Sequence, residues 1–276
     1  MTSILRNYNN LTQRVIAALL GVIIIVSAIL WSDWAYFSIF FFICMLTQLE
    51  FYKLTGLDGM IPLKSYGTVS GLLIYTISFL EEKGLISNNY YYLIFPLLFG
   101  VFLIKLYKKT ERKPFTNIGI TFLGIIYVAV PFSLLNVTAF SNDAYSYQII
   151  VGLLLLLWSS DTGAYFAGTK FGKRKLFERV SPKKSWEGSI GGFVLAIVMA
   201  YFLSIYFHDL YPWQWMVAAF IMVVCGTYGD LVESLFKRSM AIKDSGTVIP
   251  GHGGFLDRFD GLLISVPFIT TFLKLF

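Results

Sequence analysis

Polar connections divide this chain into nine apolar stretches, at 15–31, 34–52, 66–80, 90–106, 118–137, 147–167, 189–207, 213–231 and 262–276. A helix needs roughly 20 apolar residues to cross a hydrocarbon core of about 30 Å. Most of the stretches are that long, and 66–80 and 262–276 are the short ones. The pattern predicts an all-α, polytopic integral membrane protein of about nine transmembrane helices. Trp31, Trp34, Trp213, Trp215 and the run Tyr90-Tyr91-Tyr92 stand at stretch ends, where amphipathic rings meet the membrane interface.

The charges orient the stretches. If alternate connections lie on opposite sides, one side collects every one of the 22 basic residues except Lys83 and Lys274. A missed helix would scramble that bias from its position onward. It predicts nine crossings with a cytoplasmic N-terminus. The overall composition agrees, with 57% apolar and 14% charged residues, where a soluble domain carries about 25% charged. The net charge of +6 therefore belongs to the inner connections and is not read as a nucleic-acid surface. Cys44 and Cys225 are expected to be packed, reduced thiols. The first stretch lacks a small-residue cleavage site and is read as a retained helix. Outer connections are short, whereas the inner connections 168–188 and 236–261 are long and polar. Function tends to sit in such segments. Residues 1–150 are expected to form the scaffold and lipid side, and 151–276 the catalytic region.

Four constellations lie on the inner side. Asp230, Glu233, Ser234 and Lys237 have the i, i+3, i+4, i+7 spacing of one helix face. That spacing fits either a cation site or an interfacial salt bridge from Glu233 to Lys237. The run Pro250-Gly251-His252-Gly253-Gly254-Phe255-Leu256-Asp257-Arg258-Phe259-Asp260 can present backbone N–H groups to phosphate. Its two aspartates can hold a hard cation, or else cap a Gly-rich turn. Asp161 interrupts an apolar span, as a functional acid or as a helix-packing hydrogen bond. Ser181-Pro182-Lys183-Lys184-Ser185-Trp186-Glu187-Gly188 suits a polyphosphate or lipid phosphate, or generic attraction to anionic headgroups. Carboxylates that hold Mg²⁺ beside lysines that neutralise phosphate oxygens are what phosphoryl-type transfer needs. His208 is read as interfacial, Glu50 as a packed or paired acid, and 105–113 as a solvated, lipid-facing anchor.

Ser234-x-x-Lys237-Arg238, Lys243-Asp244-x-Gly246 and Ile249-Pro250-x-His252-Gly253-Gly254-x-x-Asp257-Arg258-x-Asp260 together resemble the signature of phosphatidate cytidylyltransferases, with no departure across 234–260. The segments 160–168 and 181–188 are similar to that family's other motifs. The resemblance implies transfer of CMP from CTP to phosphatidate, releasing pyrophosphate and leaving CDP-diacylglycerol in the membrane. It also implies Mg²⁺ dependence, often with a monovalent cation such as K⁺, and a homodimer among membrane phospholipids. On this reading Asp230, Asp257 and Asp260 ligate metal, with Glu233 and Asp161 at or beside the ion. Lys237, Arg238, Asp257 and Arg258 serve catalysis. Ser181, Lys183, Lys184, Ser185, Ser234, Lys243, Gly251, His252, Gly253 and Gly254 bind substrate. Short loops and the lack of a targeting extension point to a bacterial plasma membrane. The competing readings are another CTP-dependent lipid transferase or kinase, and a cation or phosphate transporter.

Overall fold

The computed structural model describes residues 10–57, 59–109, 111–242, 245–246 and 253–276. Among these residues the chain is all-α apart from one small hairpin. The helices are α1 (Asn10–Trp31), α2 (Asp33–Leu57), α3 (Lys64–Glu82), α4 (Ile94–Leu106), α5 (Pro114–Gly124), α6 (Val130–Ala139), α7 (Tyr147–Phe171), α8 (Trp186–Tyr206), α9 (Pro212–Ser239) and α10 (Leu256–Leu275). A 3-10 turn, Asn88–Leu93, leads into α4, and a π segment, Ile125–Ala129, joins α5 to α6. The π turn comes just before Pro131, which lacks an N–H and crowds the carbonyl four residues back.

Six continuous helical rods are long and apolar enough to cross a membrane: Asp33–Leu57, Asn88–Leu106, Pro114–Ala139, Tyr147–Phe171, Trp186–Tyr206 and Pro212–Ser239. Six rods meet that measure among the described residues, and α1, α3 and α10 are the helices at the other three expected crossings. Helix α1 runs for 22 residues, apolar from Val15 onward. Helix α3 is diluted by Ser, Thr and Gly, and α10 opens with Asp257, Arg258 and Asp260. These polar positions still form helix, because a backbone near lipid must satisfy its own hydrogen bonds.

The alternation expected from the charges appears as two sorted ends. At one end Lys83 pairs with Asp33, Lys274 lies 3.7 Å from Glu82, and the Tyr145 hydroxyl donates to the Ile29 carbonyl at 2.9 Å. The opposite end gathers the C-terminal ends of α2, α7 and α9 with the N-terminal ends of α8 and α10. One cluster of buried apolar side chains runs from Ile29 to Ile269 between these ends. Trp215 belongs to that core, fully buried against Gly152, and not to the interface where its position at a stretch end placed it. Trp31, Trp34 and Trp213 are exposed as interfacial rings should be.

The connection after α7 is more ordered than a polar loop. Strands β1 (Lys175–Phe177) and β2 (Ser181–Ser185) pair antiparallel. Glu187 accepts hydrogen bonds from the amides of Lys173 and Arg174 at 3.1 and 3.2 Å, which ties the hairpin base to α8.

Lys105 departs from the expected solvated anchor. It is 2% exposed, pairs with Glu111, and donates to the Ile61 carbonyl at 2.5 Å. Asn117 and Thr121 of α5 accept from the Ile61 and Leu63 amides, so the whole corner is pinned. Removing one partner would leave the other charge buried and uncompensated, which costs about 3–5 kcal/mol. Lys105→Ala and Glu111→Ala should each lower the thermal midpoint of the detergent-solubilised protein. The double variant Lys105→Met, Glu111→Leu should recover most of that loss.

Candidate active site

The site is built where helix ends converge. Helices α9 and α10 approach closely because Gly229 faces the α10 backbone: a Cβ at Gly229 would lie 2.5 Å from the Asp260 carbonyl oxygen and 3.0 Å from the Gly261 Cα. Small residues permit such contacts between helices in lipid. Contact at this point places Asp230, next in sequence, beside Asp260. One turn on, Glu233 joins them, and single oxygens from Asp230, Glu233 and Asp260 all lie within 4.8 Å of one another.

Charge at this cluster is only partly met. Glu233 is 1% exposed, and among the described residues neither of its oxygens receives a hydrogen bond. Lys237 Nζ lies 2.5 Å from Glu233 Oε2, an ion pair one helical turn apart. The same ammonium donates to Asp257 Oδ1 at 2.6 Å. Lys184 lies 2.7 Å from Asp230 Oδ2 and also donates to the Thr227 carbonyl at 3.2 Å. Ser234 donates to Asp230 Oδ1 at 3.2 Å, and the Gly261 amide to Asp260 Oδ1 at 2.7 Å. Asp161 of α7 faces Asp230, Lys184 and Arg258. When all are ionised, five carboxylates (Asp161, Asp230, Glu233, Asp257, Asp260) against three cations (Lys184, Lys237, Arg258) leave two negative charges. Buried Glu233 oxygens without a hydrogen-bond donor, in a group that counts two more acids than bases among the described residues, fit a divalent cation. The donors are hard oxygens, the set that Mg²⁺ takes.

The expected ligands thus divide into two groups. Asp230, Glu233 and Asp260 come together. Asp257 lies outside that group of three but adjoins it, sharing Lys237 with Glu233, and it also accepts from the amides of Ser245 at 3.1 Å and Gly254 at 2.9 Å. Gly253 has φ +80°, a left-handed conformation that a side chain rarely adopts, and a Cβ there would collide with the Asp257 carboxylate. Asp257 therefore organises the glycine run and orients Lys237 toward Glu233.

The basic and hydroxyl residues also differ in place. Lys183 is exposed on β2, next to the paired Lys184, and Ser181 begins that strand. Ser185 is 5% exposed and caps α8 by accepting from the Gly188 amide at 3.2 Å. Arg238 donates to the Ile242 carbonyl at 3.4 Å, finishing its own helix. Lys243, Gly251 and His252 lie outside the described residues.

Tyr127 was not singled out from the pattern, and Glu50, expected as a packed or paired acid, is indeed buried and hydrogen-bonded, at the edge of the site. Tyr127, on the π segment, has a buried hydroxyl without a hydrogen-bond partner among the described residues, and Asp260, Glu233 and Asp230 are the charges around it. A tyrosine in an apolar stretch carries no signal of such a location. Glu50 reaches the glycine run from α2. An acid near the inner end of a span was the one hint available.

The model of the cytidylyltransferase family matches residues 12–276. The chain is 35% identical over 232 residues to the phosphatidate cytidylyltransferase of Bacillus subtilis (strain 168), covering 83% of this chain and 82% of that one. It is 34% identical over 201 residues to the phosphatidate cytidylyltransferase of Staphylococcus haemolyticus, covering 71% of each. The enzyme of the same name from Haemophilus influenzae is 37% identical over 171 residues, covering 60% of this chain and 59% of the relative. A match to the family over nearly the whole length, with grouped carboxylates and lysines where the helix ends meet, leads to one assignment: this chain is a multi-pass membrane member of the cytidylyltransferase family.

Proposed function

We propose that this enzyme transfers CMP from CTP to phosphatidate, giving CDP-diacylglycerol and pyrophosphate at the cytoplasmic face of a bacterial plasma membrane. The observation that carries the reading is the carboxylate group of Asp230, Glu233 and Asp260, flanked by Lys184 and Lys237, at the end of the bundle where the long basic connections lie. The named relatives supply the substrates.

Both substrates are anionic phosphates, so the site must lower their mutual repulsion. Asp230, Glu233 and Asp260 would hold Mg²⁺, which when bound supplies charge neutralisation for the nucleotide phosphates. Lys184 and Lys237, with Arg258, carry positive charge to the same place. Exposed Lys183, beside them on β2, is free to meet a phosphate as substrate enters. A phosphate monoester has a second pKa near 6, so the lipid phosphate is largely ionised at neutral pH and needs no general base. Its oxygen forms a bond to the α-phosphorus of CTP, the bond from that phosphorus to the bridging oxygen breaks, and pyrophosphate leaves. Asp257 holds Lys237 in place during the exchange. A site at the end of lipid-embedded helices suits a soluble nucleotide and a lipid that stays in its leaflet. A homodimer, and a monovalent cation such as K⁺ beside the divalent one, complete the proposal.

Asp260→Asn and Asp230→Asn should each lower pyrophosphate release from CTP and phosphatidate by about 100-fold or more, with membrane insertion unchanged. Chelation of divalent cations should abolish turnover, and added Mg²⁺ should restore it. Near-normal rates in either variant would remove that carboxylate from the site. A phosphorylated alcohol lipid as product would favour a lipid kinase, and phosphate or cation flux without pyrophosphate release would favour a transporter.

Lys237→Ala should cost about tenfold or more in kcat/KM. Lys109→Ala, outside the cluster, should leave activity within about twofold of the parent, since surface charges away from a site contribute little. Equal effects would remove Lys237 from the chemistry.

A further inference from the structure

Glu50 lies near the inner end of α2 and is 6% exposed. Its contacts reach about 200 residues along the chain. Oε2 accepts from the Phe255 amide at 2.8 Å, and Oε1 accepts from the Ser245 hydroxyl. Two glycines make room for the carboxylate: a Cβ on Gly246 would sit 3.0 Å from Oε1, and one on Gly254 would overlap the carboxyl group itself. Phe51, the next residue of α2, stacks on Phe236 of α9 with ring centres 5.1 Å apart and planes 12° from parallel. The Glu50 backbone is thereby registered against the helix that carries Glu233 and Lys237.

Asp257 grips the same stretch from the other side. Ser245 is shared: its hydroxyl goes to Glu50, and its amide goes to Asp257 at 3.1 Å. Phe255 and Gly254 divide likewise, the Phe255 amide to Glu50 and the Gly254 amide to Asp257. A residue needed only for packing here would be apolar, because a buried carboxylate is costly unless donors meet it. We propose that Glu50 is a positioning residue of the active site. Its carboxylate fixes Ser245 and Phe255, and through the shared Ser245 it sets the orientation of Asp257, and with it Lys237 against Glu233. The catalytic consequence rests on the cytidylyl-transfer reading, whereas the structural coupling stands independently of it.

The test uses the full-length protein in lipid nanodiscs. Glu50→Gln keeps the shape but turns one acceptor oxygen into an NH₂ that faces a donor. It should speed hydrogen exchange at the Phe255 amide by about tenfold or more, the effect of losing a hydrogen bond to a charged group. It should lower kcat for CTP and phosphatidate by about tenfold or more, with thermal midpoint and membrane yield close to the parent. Glu50→Asp should recover part of both. Ser245→Ala removes the shared hydroxyl while leaving Glu50 in place, and should shift both readouts in the same direction. That second variant decides the matter if Glu50→Gln folds poorly. Parental exchange at Phe255 with parental kcat would overturn the proposal. So would a loss of activity that only tracks the amount of folded protein and is not relieved by Glu50→Asp. If the parent itself fails to turn over CTP and phosphatidate, the functional reading falls, and the exchange measurement alone judges Glu50.

Discussion

Carboxylates at the ends of lipid-embedded helices are the constraint on which this structure depends. An acid at that depth is costly unless a cation or a set of donors meets it. The chain gathers its inner acids into one place and distributes few partners among them. Lys237 bridges Asp257 and Glu233, and Lys184 meets Asp230 and a backbone carbonyl. Backbone amides satisfy much of Asp257, while Glu233 is met, among the described residues, chiefly by the Lys237 ammonium. Complete internal pairing would make a stable but inert polar core. The shortfall of positive charge among the described residues is what supports the proposal of a divalent ion there.

Packing of the helices keeps this group together. Gly229 lets α9 lie against the α10 backbone, so two aspartates on different helices become neighbours. The π segment before Pro131 turns Tyr127 toward the same acids. The Phe51–Phe236 stack brings α2 into the arrangement, which gives a residue from early in the chain access to the glycine run before α10. At the opposite end, ion pairs such as Lys83 with Asp33 join helix termini, and the described residues there form no comparable acidic group.

The proposed position of the site agrees with the physical character of the two proposed substrates. A soluble triphosphate needs an opening to water, and a diacyl lipid must keep its chains in the leaflet. A reaction centre at the helix ends serves both, with lysines on a short hairpin standing on the water side. The same hairpin shows how an apparent loop acquires order: Glu187, in the first turn of α8, accepts from the amides at its base.

By itself the sequence determined the membrane-embedded, helical character of the chain, because long apolar runs have no other stable solution in lipid. It also indicated which connections share a side and which acids share a helix face, since charge bias and residue spacing are local properties. The face shared by Asp230, Glu233 and Lys237 was legible for that reason: one helix sets it. Tertiary structure alone decided that Asp260 joins Asp230 and Glu233 while Asp257 turns to Lys237 and the amides. Spacing along α10 allows either arrangement, and the close approach at Gly229 selects one. The places of Lys105, Trp215 and Tyr127, and the partners of Glu50, were likewise out of reach of pattern. Each owes its role to a partner far away in sequence, and a linear chain does not record which distant groups will meet.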